Sequence, residues 1–328
     1  MAPLRVLLAG LVLLAGCGGG TSRPAPGPLP SPPPTSASVS SAPAPSAAGP
    51  SAPSRRPRAD PDDVRVRTAV AAVRALAGGI GPRPGTSAAY ARAADWVEER
   101  FADLGWEVRR QPFRTPGGVS WGVPVPAGRS VNLVADRGDV RRGRPWLLVG
   151  AHLDTVPQSP GAEDDGSGIG VLLAVAEALR DRRTRLPVVL VAFGSEEPRG
   201  PSDADHHYGS RAYVAGLSPT QRRTLRGMVA LDRVGVGAAV PACAATTGPE
   251  PTLSSLVRAA RRAGVPTTQC SVVPNRSADH WSFAEVGLPA ARLGGTSYAG
   301  YHSPTDMPSV VSAAQLRRTS RLVVEWLR

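Results

Sequence analysis

One stretch limits what this chain can fold into: Trp146 to Leu179, WLLVGAHLDTVPQSPGAEDDGSGIGVLLAVAEAL. It opens with a short apolar run, Trp146 to Val149, of the kind a buried parallel strand shows, although a helix segment carries the same periodicity. It closes with Gly168 to Leu179, apolar and Ala-rich at helical spacing. The loop between carries His152, Asp154, Glu163, Asp164 and Asp165. Open α/β sheets place their chemistry on loops at the carboxyl ends of parallel strands. Asp, His and Glu on such a loop are the ligand set of a hard or borderline metal ion.

The rest of the chain alternates in the same way. Asp60-Pro61-Asp62-Asp63 reads as a helix start and predicts a helix to about Leu76, stopped by Gly78-Gly79. Ser87 caps a second helix through Leu104, and Gly105 ends it. Strands are expected over 106–113, 130–136, 186–193, 228–234 and 289–293, and helices over 252–263, 279–286 and 312–327. The segment TPGGVSWGVPVPAG reads as an irregular excursion. The expected fold class is α/β, with a mixed, largely parallel central sheet flanked by helices. With only 5% aromatic residues, its core must be built from Val, Leu and Ala.

The amino terminus is read apart from the fold. Arg5 is a minimal basic region, and Val6 to Leu14 form an apolar run too short to span a bilayer. It ends in Leu14-Ala15-Gly16-Cys17, which resembles the lipobox of bacterial lipoproteins. Residues 1–16 are therefore expected to be a signal peptide and Cys17 the lipidated first residue. Residues 17–59, rich in Pro, Ser and Ala, have no apolar periodicity and read as a disordered tether. Residues 60–328 are expected to form the folded domain that carries the chemistry. The expected location is the outer face of the bacterial cell membrane. In that compartment Cys243 and Cys270 are expected to pair, the alternative being two buried thiols. The net charge of +12 comes entirely from Arg, since the chain has no Lys. No basic run is interleaved with aromatics, so this is read as compositional bias, with no nucleic-acid partner.

Acids and histidines recur just past each strand: Glu196-Glu197 after 186–193, Asp232 at the end of 228–234, and Tyr301-His302 with Asp306 late in the chain. With His152 and Asp164 these make a set richer than one ion needs, as two divalent ions sharing a bridging carboxylate would require. Of two adjacent Glu residues, one can bind metal while the other serves as general base.

As a set, the segments resemble peptidase family M28, the bacterial aminopeptidases with a pair of zinc ions. The matching segments are His152-Leu153-Asp154, Gly161-Ala162-Glu163-Asp164-Asp165-Gly166-Ser167-Gly168, Glu196-Glu197, Leu231-Asp232-Arg233-Val234-Gly235 and Tyr301-His302. The resemblance implies that Asp164 bridges two Zn2+ ions, with His152 and Asp232 completing one site and Glu197 and His302 the other. It implies that Asp154 accepts the free ring N–H of His152. It implies that Glu196 takes the proton of a metal-held water and that Tyr301 donates to the developing oxyanion. Arg276 resembles a substrate-contacting arginine, although Ala278 is an insertion in that segment. Glu163 stands where the family has Asn, beside the bridging ligand, where it alters local charge or approaches a metal itself. Arg233 replaces an apolar residue and places a cation near the pocket. His206 and His207 sit in a longer loop after Glu197 and are expected to be solvated.

The expected function is a monomeric di-zinc aminopeptidase acting on peptide or protein substrates through a metal-held hydroxide. The alternatives are a carboxypeptidase, dipeptidase or one-zinc glutaminyl cyclase on this scaffold, or a catalytically idle peptide-binding lipoprotein. HLDTVP is also similar to the related M20 peptidases, but DDGSG and Glu-Glu match M28.

Overall fold

The two most apolar runs form the centre of the sheet. In the computed structural model, which describes residues 27, 56–138, 140, 143–270 and 273–328, strands β5 (Trp146–His152) and β6 (Val188–Phe193) are buried along their whole length. Strands covered by helices on both faces are apolar throughout. The expected signal peptide, Cys17 and nearly all of the expected tether lie outside the described residues.

The other large-sheet strands are β1 (Glu107–Thr115), β4 (Gly128–Asp136), β7 (Leu225–Leu231), β8 (Val240–Ala244), β9 (Thr267–Gln269) and β10 (Ala290–Leu293), in the order β1-β4-β6-β5-β7-β10-β8-β9. The four inner strands β6-β5-β7-β10 run parallel, and antiparallel pairs flank them. All four parallel strands therefore end on the same side. Of these strands, β8 and β9 were not anticipated: β8 is a short run interrupted by Pro241, and β9 is three polar residues, largely exposed.

The helices are α1 (Val66–Val73), α2 (Ala88–Asp103), α3 (Ser167–Ala178), α4 (Tyr208–Ala215), α5 (Pro219–Thr224), α6 (Pro251–Arg262), α7 (His280–Ala284) and α8 (Ala313–Leu327). Ser87 and Ser312 cap α2 and α8 by accepting from Tyr90 N and Gln315 N. The helix expected from Asp60 is divided: a single 3-10 turn at Pro61–Asp63, then α1, then a wider turn over Arg74–Ile80. Helix α3 is buried on nearly every side and packs against α1 and α8. Gly170 permits the α1 contact, since a Cβ there would lie 2.7 Å from the Ala69 carbonyl oxygen.

The excursion between β1 and β4 contains a small hairpin, β2 (Gly118–Ser120) and β3 (Val123–Val125), turning at Trp121-Gly122. Both turn residues have positive φ, 47° and 83°. That is the geometry of a tight two-residue hairpin. Buried Arg199 donates to the carbonyls of Pro116 and Pro126 and so fastens the hairpin to the loop after β6. Cys243 and Cys270 are joined by a disulfide.

Candidate metal centre and active site

Each parallel strand delivers one piece of the site from its carboxyl end. β5 ends at His152, and the turn over Ala162–Gly166 returns Asp164 beside it. Past β6 come Glu196 and Glu197, past β7 comes Asp232, and the loop after β10 brings Tyr301 and His302. His152 Nε2 lies 3.1 Å from Asp164 Oδ1, while His302 Nε2 lies 3.0 Å from Asp164 Oδ2 and 3.5 Å from Glu197 Oε2. One carboxylate is thus approached by a histidine on each oxygen. Donor atoms of His152, Asp164 and Glu197 all lie within 4.8 Å of one another.

This arrangement fits a metal ion. His152 Nδ1 lies 3.1 Å from the Asp154 carbonyl oxygen. A proton donated there leaves Nε2 with a lone pair facing a carboxylate oxygen, a juxtaposition that a cation satisfies. Glu197 Oε1 and His302 Nδ1 are buried without a hydrogen-bond partner. Burial, then the charges of Asp164 and Glu196, push the Glu197 carboxyl well above its ordinary range. Burial also pushes Asp164 up, but the His152 and His302 contacts outweigh it and hold that carboxyl well down. Imidazole and carboxylate together are a zinc donor set.

Asp232 stands differently. Its Oδ1 lies 3.4 Å from Arg233 Nε, and its Oδ2 lies 3.2 Å from Arg292 Nη2 on a fully buried side chain. Both carboxylate oxygens are engaged by guanidinium groups. Arg292 went unnoticed in the sequence because a lone Arg in a short apolar strand carries no pattern.

Several side chains have roles other than those expected. The His152 ring faces the Asp154 main-chain carbonyl, and the Asp154 carboxylate lies 3.8 Å from Nδ1. That carboxylate instead accepts from Glu196 N and Glu197 N at 2.9 and 3.2 Å, which sets the backbone of the Glu pair. Glu163 turns away from the centre and accepts from Gly235 N and Val236 N, with burial pushing its pKa up to about 8. Asp165 caps α3 by accepting from Gly168 N, and it also accepts from Arg233 N. Asp306 holds the other side of the turn, accepting from Glu163 N, Asp164 N and the Tyr298 hydroxyl.

His207 is the largest departure. It is only 3% exposed, and its Nε2 lies 3.1 Å from Glu196 Oε1. The contact has ion-pair distance without linear hydrogen-bond geometry, since neither ring nitrogen has a hydrogen-bond partner. Burial pushes His207 down, but Glu196 outweighs it and raises its pKa. Conversely, burial pushes Glu196 up, while His152 and His207 hold it down at about 2. Loop length concealed this contact, because nothing in PRGPSDADHHYGS shows that the loop folds back. Replacing His207 by Ala is expected to lower kcat about tenfold with little change in KM, from the loss of one charged contact. His207→Gln should recover part of the loss in the same steady-state assay.

The cleft above these groups is walled by aromatics. The Tyr301 ring stacks on His302 at 3.7 Å between centroids, and Trp121 meets His302 edge-on at 4.4 Å. The Arg233 guanidinium lies 4.4 Å from the Tyr301 ring centre. Arg276 is half exposed at the mouth, over Trp281 and 3.9 Å from Asp203. Among the described residues, non-glycine positive φ occurs at Trp121, Ser195, His207, Arg233 and His302, between 47° and 58°. Four of these line the cleft, and Ser195 immediately precedes Glu196. Strain of this kind persists where surrounding structure over-determines it, and it clusters at functional sites.

One buried cation ties the ligand loops together. Arg83 donates to the carbonyls of Leu153, Pro160 and Gly161 at 2.6, 2.6 and 3.1 Å. Burial brings its pKa down to about 10. Arg83→Met would orphan these carbonyls and is expected to cost about 3 kcal/mol. For a domain of this size that is a fall of roughly 5–10 °C in Tm, read by calorimetry.

The profile of peptidase family M28 matches residues 132–327. The chain belongs to peptidase family M28. It is 28% identical over 185 residues to aminopeptidase YwaD of Bacillus subtilis, covering 54% of this chain and 39% of that protein. It spans 42% and 39% of the length of two curated relatives. Among solved structures, BSAP, a zinc aminopeptidase from Bacillus subtilis, superposes with a TM-score of 0.68 at 18% identity, covering 80% of this chain and 94% of that one. Fimbriiglobus ruber glutaminyl cyclase does so with a TM-score of 0.68 at 21% identity, covering 80% and 95%. The M28 match begins in β4 and reaches the end of α8, so it contains every parallel strand and every candidate ligand.

Proposed function

We propose that this M28 chain is a zinc-dependent aminopeptidase, exported and held by lipid on Cys17 at the outer face of the bacterial membrane. One observation carries the catalytic reading: His152, Asp164, Glu197 and His302 converge in a cleft that also presents Glu196. The first four would hold the metal. When bound, zinc polarises the scissile carbonyl and acidifies the attacking water.

The remaining work falls to this chain's own side chains. Glu196, ionised and held by His207, accepts the proton of the attacking water and returns it to the leaving amine. Tyr301, stacked on His302, donates a hydrogen bond from its hydroxyl to the carbonyl oxygen as charge develops there. Trp121 and Tyr301 wall the cleft. Arg233 and Arg276 face the same cleft and bear on the substrate's carboxylates.

The full chain, assayed on aminoacyl anilides and their N-blocked equivalents, tests the reading. Hydrolysis confined to free-amine substrates, lost with chelator and regained with zinc, supports it. Hydrolysis of blocked substrates only would overturn the aminopeptidase assignment.

The number of ions admits a second reading. Asp232 would complete a two-zinc site with His152, yet both its oxygens face arginines. That favours one zinc at the Asp164–Glu197–His302 side. One rather than two zinc ions per chain, with cyclisation of amino-terminal glutamine, would turn the assignment toward a glutaminyl cyclase.

A further inference from the structure

The end of the sheet away from the cleft carries two arginine-lined cavities. One, of about 460 Å³, is lined by Arg56, Arg144, Arg180 and Arg183, with Glu107 as its carboxylate. The other, of about 480 Å³, is lined by Arg58, Arg258 and Arg262, with Glu325 as its carboxylate. Arg185 belongs to both. Glu325 is already paired with Arg262 at 2.6 Å. Among the described residues, Arg144, Arg180, Arg183 and Arg258 are exposed and pair with no carboxylate. Burial, then the like charge of Arg262, push the Arg185 guanidinium below its ordinary value, so an anion placed here relieves a repulsion.

Two further observations give this face an orientation. Arg144 and Arg185 lie just before β5 and β6, whereas His152 and Glu196 lie at or past the opposite ends of those strands. A seven-residue strand separates the two ends by about 20 Å. The chain also enters the fold here: Arg183 N donates to the Pro57 carbonyl, and Ala59 N donates to the Arg183 carbonyl, at 2.9 and 3.0 Å. Cys17 lies roughly 40 residues upstream of that point.

We infer that this arginine face docks on the anionic phospholipid headgroups of the membrane, with the catalytic cleft turned away from the bilayer. The inference rests on the reading of Cys17 as a lipid anchor, which supplies the proximity. Clustered arginines at a surface gain from anionic lipid within a Debye length. A single-stranded nucleic acid fits less well, because it needs open aromatic faces for stacking. The two indoles at these cavities, Trp106 and Trp326, each lie beneath a guanidinium, at 4.4 and 5.6 Å.

The test uses the full chain carrying Cys17→Ala, which cannot be lipidated. It is sedimented with phosphatidylcholine vesicles and with vesicles containing about one third phosphatidylglycerol. Salt-sensitive binding to the anionic vesicles is expected. It should weaken about tenfold or more when Arg144→Gln, Arg183→Gln and Arg258→Gln are added. These are exposed positions, so an unchanged melting temperature shows that the variant is folded. Equal binding to both vesicles, or an undiminished triple variant, overturns the inference. So does tighter binding to single-stranded DNA than to anionic vesicles at the same salt. The readout uses neither hydrolysis nor lipid on Cys17, so its failure is distinct from failure of the peptidase or lipoprotein readings.

Discussion

Glu196→Ala is expected to lower kcat by about three orders of magnitude while leaving bound zinc unchanged. The reason lies in how the Glu pair is divided. Asp154 fixes both main-chain amides, so Glu196 and Glu197 leave the β6 end in set directions. Glu197 turns toward Asp164 and His302, and Glu196 toward His207. Removing the Glu196 carboxylate therefore removes a proton acceptor without removing a ligand atom. Steady-state kinetics paired with elemental analysis of the purified variant checks both halves. Retained turnover would refute the general-base role, and lost zinc would make Glu196 a ligand instead.

Asp164→Ala is expected to do the reverse: to empty the centre and abolish turnover, at least 10³-fold, with added zinc failing to restore it. Asp164 is approached by His152 on one oxygen and His302 on the other. Without it the two histidines lose the carboxylate that both approach, and only Glu197, 3.5 Å from His302, is left to draw them together. The turn that carries it should survive, because Asp306 grips the backbone amides of residues 163 and 164. Elemental analysis and calorimetry of the variant decide the matter. Full zinc occupancy would place the metal elsewhere.

Both variants concern residues legible in the sequence, because ligand chemistry restricts residue type and strand ends restrict position. The buried strands β5 and β6 were legible for a similar reason, since burial on both faces leaves only apolar residues. What escaped were several roles that depend on where a side chain turns. Glu163 and Asp164 are neighbours in the chain, yet one faces the centre and the other caps a backbone turn. His207, expected to be solvated, and Trp121, in the segment read as an irregular excursion, both reach the cleft. Arg83, in the stretch between the first two expected helices, drew no notice in the sequence and is fully buried.

The sequence by itself determined the α/β class, the order of its main elements and the set of acids and histidines that belong together, because periodicity and residue chemistry are local properties. Only the tertiary structure decided which carboxylate meets which imidazole, that Asp232 faces two arginines, and that arginines scattered from Arg56 to Arg328 gather at the end of the sheet away from the cleft. Those are distances between segments far apart in the chain, and they are set by sheet order and packing.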